Sequence, residues 1–310
     1  MSKTHSSNMW EALSRIYLTT NEITETLPKE NKKKFINIIK KRFFENIWEK
    51  MKNFGEKNPP FLKEPDFPLL CCRAIIKETE AIQWGHLEIF DTHFIIHLNK
   101  NLSDARKRTV LAHELGHTFL YDLQSKPIVP LYIRERSLDL LSPNIYSDDE
   151  GFVYEIGRFL LAPTKVLPRF IPQVPSLESF LTCCSLFQTT KDVMAKRLLW
   201  DIYNFDTEEK FWRNALLVFF PIHENGDLCE IPKGNKYIYR GANFKNFHIE
   251  KYWEFIVPLL SMAFSKPDTT IKMTLTDKVK LRYLLFKNSK IIAELKYIPK
   301  DRRIYILFSQ

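Results

Sequence analysis

One stretch of the chain, ARKRTVLAHELGHTFLYD, holds residue types at a spacing that could do chemistry: His113, Glu114 and His117. Four residues advance a helix by about 400°, so the two imidazoles project from one face, a turn apart. That spacing lets both ligate a single tetrahedral zinc ion at about 2.0–2.1 Å each. Glu114 is rotated about 100° from His113, which places it beside such an ion rather than on it. There a carboxylate can take a proton from water at the metal and later pass it to a leaving amine. Val110, Leu111, Leu115, Phe119 and Leu120 surround the motif, so its helix is expected to be buried. Polar groups in a buried helix need partners, because unpaired ones are costly. A purely structural hydrogen-bonded cluster is the competing account.

Two histidines do not complete a zinc site. The extended HExxHxxGxxH form is excluded, because positions 120 and 123 are Leu120 and Leu123. The third ligand is therefore sought among carboxylates on a second helix: Asp148, Asp149, Glu150 or Glu155. Glu150 has the best face, since Val153, Gly157 and Leu161 follow it at three, seven and eleven residues. That stripe of modest side chains lets the helix approach the first closely, with Gly116 as a matching gap. Glu155 lies about 140° round the helix from Glu150 and should point elsewhere.

The elements that must position these residues can be read on either side. Ser103 is the expected N-cap of the HELGH helix, Asp104 its first turn, and the helix should run to about Tyr121. Before it, CCRAII, HLEIF and HFIIHL read as short strands between Leu69 and Leu98. After it, a helix is expected from Asp149 to Leu161, stopping before Pro163. Further upstream, residues 8–54 read as two helices divided near Thr26–Pro28. Phe35, Ile39, Phe43, Ile47, Met51 and Phe54 form one stripe of the second. Lys32, Lys33, Lys34, Lys40, Lys41 and Arg42 crowd its first half and read as a solvated basic face, with a surface for DNA, membrane or an acidic partner as the alternative. Gly55 and the prolines at 59, 60, 65 and 68 make a linker. Residues 176–200 read as a helix–turn–helix-like pair, with Thr190 capping the second member. From Phe211 the chain is strand-rich: NALLVFFPI, KYIYR, TTIKMTLT, VKLRYLLF, IIAELKYI and RIYILF, with a helix within 248–264.

Composition limits the classes. In 310 residues, a 45% hydrophobic and 14% aromatic content can fill real cores, which excludes wholesale disorder. The start lacks a secretory pattern, and the longest apolar run, Phe255–Phe264, is about half what a bilayer span needs. A cytoplasmic protein without a membrane partner is the expectation. Cys71–Cys72 and Cys183–Cys184 are adjacent pairs and Cys229 is alone, so reduced buried thiols are expected. The net charge of +9 permits nucleic-acid contact without requiring it.

The HELGH helix, entered from an Ile-rich strand, resembles the ImmA/IrrE family of metallo-endopeptidases. EGFVYEIGRFLLAP is similar to that family's later helix, with Val153 for its alanine, Ile156-Gly157 for its Phe-Ala pair and Leu160-Leu161-Ala162-Pro163 at its close. SLESFLTCCSLFQTTKDVMAKRLL is similar to the family's helical pair, with Thr190, Val193, Arg197 and Leu198 at its recurrent positions. The resemblance covers roughly residues 70–200. It implies an α+β fold with a mainly helical, zincin-like peptidase domain, a small sheet, and Glu150 as the third zinc ligand beside His113 and His117. The corresponding division is an N-terminal helical segment at 1–57, a peptidase domain at 58–175, the helical pair at 176–205 and an α+β domain at 206–310. Some members carry a GAF-like C-terminal sensor domain, with which the strand-rich tail is compatible. The 32 residues between His117 and Glu150 form a longer connection than the family pattern. They could make a flap in which Tyr132, Arg134 and Arg136 touch substrate.

The activity implied is zinc-dependent cleavage of a regulatory protein, typically a helix–turn–helix repressor, with Glu114 as the proton shuttle. Tyr121, Tyr132, Tyr154, His93 and His97 are the candidates for stabilising the oxyanion. The alternative is a DNA-binding regulator or binding module with a structural or vestigial zinc site. Lys191, Lys196 and Arg197 are the chief basic residues of the helical pair, fewer than phosphate contacts normally require. A stapling metal also leaves Glu114 without a task.

Overall fold

Apolar side chains at three- and four-residue steps draw helix α1, Lys32–Met51, onto its neighbours: Ile39, Phe43, Ile47 and Met51 are buried along one stripe. Lys34, Lys41 and Arg42 on the other side are exposed, as a solvated basic face requires. The computed structural model describes residues 10, 13–21, 32–52, 73–122, 124–130, 147–199, 211–223, 225, 227, 237–241, 253–275 and 291–309. The Thr26–Pro28 break, Phe54, the proline linker, Cys71, Cys72, Cys229, Tyr132, Arg134, Arg136 and the VKLRYLLF segment lie outside the described residues. Nothing is described of the side chains of Lys32, Lys33, Asp148 and Asp149.

The chain is mixed α+β and divides into two units, Met1–Pro163 with Phe187–Thr190, and Thr164–Leu186 with Lys191–Gln310. In the first unit, β1 (Ala74–Thr79), β2 (Gly85–Ile89) and β3 (Phe94–Asn99) form a sheet in the order β1-β3-β2. β3 is parallel to β1 and antiparallel to β2, with Ile96 opposite both Ile76 and Leu87. The central strand is the most apolar because it is covered most: Phe94, Ile95, Ile96 and Leu98 are all buried. Among the described residues β2 is an edge strand.

Helix α2, Asp104–Thr118, packs on β2 and β3 and, most extensively, on α3, Ser147–Leu161. Ser103 holds the N-cap position in extended conformation, but its side chain makes no capping hydrogen bond. The C-terminus falls at Thr118, three residues short of the expectation. Phe119 and Leu120 donate to the carbonyls of Gly116 and His117, tightening the last turn. Tyr121 is thereby freed for a two-residue strand, β4 (Tyr121–Asp122), paired antiparallel with β5 (Val129–Pro130). The outer side of α3 meets α1 through rings: Phe152 lies 5.0 Å from Phe43 and Phe159 lies 4.9 Å from Phe44.

In the second unit, α4 (Leu177–Leu186) and α5 (Lys191–Leu199) are the expected helical pair. They accompany a five-stranded antiparallel sheet of β6 (Ala215–Pro221), β7 (Ile238–Arg240), β8 (Ile271–Leu275), β9 (Ile291–Ile298) and β10 (Arg303–Ser309), in the order β7-β6-β10-β9-β8. Helix α6, Trp253–Phe264, covers one face through Ile256, Leu259, Leu260 and Ala263 against Leu216, Val218, Phe220, Ile304, Ile306 and Phe308. α4 and α5 touch the same sheet, and Phe180 of α4 meets Phe219 at 6.1 Å. A strand covered on both faces must be apolar at every position rather than alternately, which is what ALLVFFP spells. Cys183 and Cys184 are buried, and free as thiols. Among the described residues, no helix is long and apolar enough to cross a membrane.

Candidate metal centre

Helical spacing brings His113 and His117 together on α2, with ring centroids 4.9 Å apart and planes nearly perpendicular at 84°. Glu150 reaches them from the first turns of α3. Its Oε2 lies 3.3 Å from His113 Nε2 and its Oε1 lies 3.3 Å from His117 Nε2. One ligand atom from each of the three falls within 4.8 Å of the others. Atoms at adjacent corners of a tetrahedron with arms of about 2.0–2.1 Å stand about 3.3 Å apart, so the carboxylate already faces both imidazoles at ligand spacing. Two neutral nitrogens and one carboxylate are a donor set for a divalent cation, and this group could hold one. The hydrogen-bonding His113 holds the Glu150 carboxyl below its ordinary range, in the ionised form a ligand needs.

The approach of α3 depends on two glycines. A Cβ at Gly157 would stand 3.1 Å from His113 N and 3.2 Å from the Ala112 carbonyl group. One at Gly116 would stand 3.1 Å from the Val153 carbonyl oxygen. Val153 and Gly157 are thus the stripe on which the two helices cross. Glu155 points elsewhere, as its angle requires: its Oε2 accepts from Lys40 Nζ at 2.7 Å. Lys40 also lies over the rings of Trp10 and Phe152.

Glu114 is buried, and burial pushes its carboxyl above the ordinary range; His113 opposes the shift and Glu150 adds to it. Above it passes the start of β2. A Cβ at Gly85 would run into Val110 and stand 3.1 Å from Glu114 Oε1. This residue escaped the sequence reading. Its signal was there to find, since the chain has only 8 glycines and one stands at the head of a strand that precedes the HELGH helix.

Of the four oxyanion candidates among the described residues, Tyr154 comes to the centre. Its ring centroid lies 4.2 Å from that of His113, at an interplanar angle of 33°. Burial raises its phenol, and Glu150 and Glu114 raise it further. The others have different company. Tyr121 meets Phe94 at 5.6 Å, His93 stacks on Phe90 at 4.8 Å, and His97 Nε2 lies 3.0 Å from Glu88 Oε2.

Residues 78–141 match the family described as Peptidase_M78: IrrE N-terminal-like domain. Over that segment the chain is similar to an IrrE N-terminal-like domain. The matched segment begins at the end of β1 and includes the whole of α2, with His113, Glu114 and His117. It ends before α3, so the third residue of the group is brought to this domain by the packing of α3. No curated protein matches the chain. A solved structure described as a Mycobacterium tuberculosis transcriptional regulator is similar at 10% identity and a TM-score of 0.48, covering 86% of each chain.

Proposed function

We propose that the protein is a cytoplasmic zinc-dependent endopeptidase acting on a regulatory protein, most simply a helix–turn–helix repressor. The observation that carries this reading is the juxtaposition of His113, His117 and Glu150 at ligand spacing, with the buried Glu114 next in sequence. His113 and His117 would hold the ion through Nε2 and Glu150 through its carboxylate. When bound, such an ion polarises the scissile carbonyl and makes water acidic enough to attack at neutral pH. Glu114 accepts the proton of the attacking water on its carboxylate and delivers it to the leaving amine. Its burial favours that cycle, because a raised carboxyl both takes and returns a proton more readily near neutrality.

The edge position of β2 among the described strands supports a peptide as the substrate. An extended segment can add to an unpaired strand edge through main-chain hydrogen bonds, and this edge starts directly over Glu114. Such binding reads backbone first and side chains second, so it suits an unfolded or looped stretch of a folded partner.

The DNA-binding alternative rests on the helical pair and the charge of +9. Against it, Val193, Met194, Ala195, Arg197, Leu198 and Leu199 of α5 are buried in their own unit. Lys191 is paired with Asp301 at 2.9 Å, and Arg197 donates to Thr164 at 2.8 Å. Those two of the three basic residues are occupied within the fold.

The deciding experiment measures bound zinc and cleavage of the repressor encoded beside the gene, in wild type, Glu114→Gln and Glu150→Ala. Glu114→Gln is expected to keep zinc and lose cleavage, and Glu150→Ala to lose much of its zinc. Wild-type cleavage by Glu114→Gln would remove the catalytic assignment. Salt-sensitive DNA binding with no cleavage of any repressor would favour the alternative.

A further inference from the structure

A histidine that ligates a metal through one ring nitrogen usually donates its other N–H to an acceptor, which fixes the tautomer and the plane of the ring. His113 lacks that support. Its Nδ1 is buried and has no hydrogen-bond partner among the described residues. On the Nδ1 side, the plane of its ring is therefore set by packing among the described residues, while Nε2 faces Glu150 at 3.3 Å. His117 meets it edge-on from within α2, which fixes spacing along the helix but leaves the imidazole free to tilt on its own χ2.

The second ring against it among the described residues is Tyr154. It stands four residues after Glu150 on α3, so both project toward α2, one turn apart. Its ring lies over the imidazole with centroids 4.2 Å apart and planes inclined by 33°. Yet Tyr154 is 52% exposed, an unusual degree for a tyrosine packed on a largely covered imidazole. A half-exposed aromatic contributes little to a core, so its place against His113 calls for a local reason.

We propose that Tyr154 is the positioning residue of the centre: its ring, rather than a hydrogen bond at Nδ1, holds the His113 imidazole in the orientation that presents Nε2 toward Glu150. The inference rests on the metal-binding reading of His113, His117 and Glu150, and it adds a fourth residue that ligates nothing. It makes the phenyl group the working part of Tyr154 and the hydroxyl dispensable for metal binding. It also puts the face of a ligand's aromatic support within reach of solvent, so a substrate side chain seated on Tyr154 would press on the metal site.

The test is zinc affinity, measured by competition with a chromophoric chelator, on the full-length protein and its Tyr154→Ala and Tyr154→Phe variants. Partners of ligating residues are typically worth 10–100-fold in metal affinity, so Tyr154→Ala is expected to bind zinc about 10-fold more weakly and Tyr154→Phe within about 2-fold of wild type. Cobalt(II) loaded in place of zinc supplies a readout that folding alone does not move. Its visible bands should change in Tyr154→Ala and stay as in wild type in Tyr154→Phe. Equal affinity and spectrum in Tyr154→Ala would overturn the proposal, and so would a loss in Tyr154→Phe as large as that in Tyr154→Ala. A wild-type protein that binds no zinc would instead overturn the reading of the centre on which the proposal stands.

Discussion

Gly85 lies directly over Glu114: a single carbon added to the glycine would stand 3.1 Å from the Glu114 carboxylate oxygen Oε1 and would collide with Val110. The edge strand β2 and the proposed proton shuttle are therefore held together by the absence of a side chain. Gly85→Ala must push β2 away from α2 or force Val110 and Glu114 to move. Because neither histidine nor Glu150 is in that contact, zinc should stay bound while cleavage falls at least about 10-fold, as small misplacements of a catalytic group do. Zinc content and turnover measured on one preparation separate these effects. A parallel loss of both would mean that Gly85 supports the fold of α2 and not its catalytic face.

The two glycines of α3 offer a comparison within one helix. Gly151 has nothing within 4 Å of an added Cβ, whereas Gly157 faces the backbone of Ala112 and His113 at 3.1–3.2 Å. Backbone cannot swing aside as a side-chain tip can. Gly151→Ala should stabilise the protein by about 0.5–1 kcal/mol through helix propensity. Gly157→Ala should cost about 1–3 kcal/mol as an overpacked crossing, and should weaken zinc binding because it separates Glu150 from the histidines. Chemical denaturation of the full chain followed by circular dichroism gives the order of the three proteins. Stabilisation by Gly157→Ala would refute the close crossing.

Much of this centre was legible because helical geometry is periodic. His113 and His117 had to share a face, Glu150 and Glu155 had to diverge, and the stripe of Val153 and Gly157 had to be the crossing. Each follows from residue spacing, and the Lys40–Glu155 pair shows where the diverging carboxylate goes. The covered strand ALLVFFP was equally legible, since continuous apolarity has one common cause. What escaped are contacts between elements distant in sequence. Nothing local places Gly85 over Glu114, or brings Tyr154 rather than Tyr121, His93 or His97 to the centre, because both depend on how separate elements dock. The end of α2 was misjudged for a related reason: Tyr121 fits an apolar helical face, but pairing with Pro130 claims it for a strand.

Burial sets the pH response of the metal-free protein. Glu114 has its folded carboxyl raised above the unfolded value, chiefly by desolvation. In the folded state it holds a proton at pH values where the unfolded chain has lost it. Its contribution to stability is thus fullest below the ordinary carboxylate range and is lost as pH rises through the raised value. Glu114→Gln removes that dependence. The melting temperature of Glu114→Gln relative to wild type, both in chelator, should therefore climb as pH is raised from about 4 toward neutrality. A constant difference across that range would mean that Glu114 is solvated in the metal-free state.

The last prediction concerns the second unit, where a carboxylate from the sheet serves a helix. Glu294 is buried on β9, and its Oε2 accepts the N–H of Leu177, the first residue of α4, at 2.7 Å. Ser176 already takes the Ser179 N–H at 3.1 Å, so Glu294 satisfies a different donor of the same helix end. Its other oxygen meets Lys272 Nζ at 2.9 Å, but that lysine is largely exposed and the pair is worth little. The valuable half of Glu294 is therefore its acceptor for Leu177. Glu294→Ala leaves that buried N–H unpaired and should cost about 1–3 kcal/mol. Glu294→Gln keeps an acceptor of nearly the same reach and should cost under about 1 kcal/mol if the ion pair is as weak as its exposure implies. Urea denaturation of the three full-length proteins tests the split. Equal losses in both variants would transfer the importance of Glu294 from its hydrogen bond to its charge at the positive end of α4.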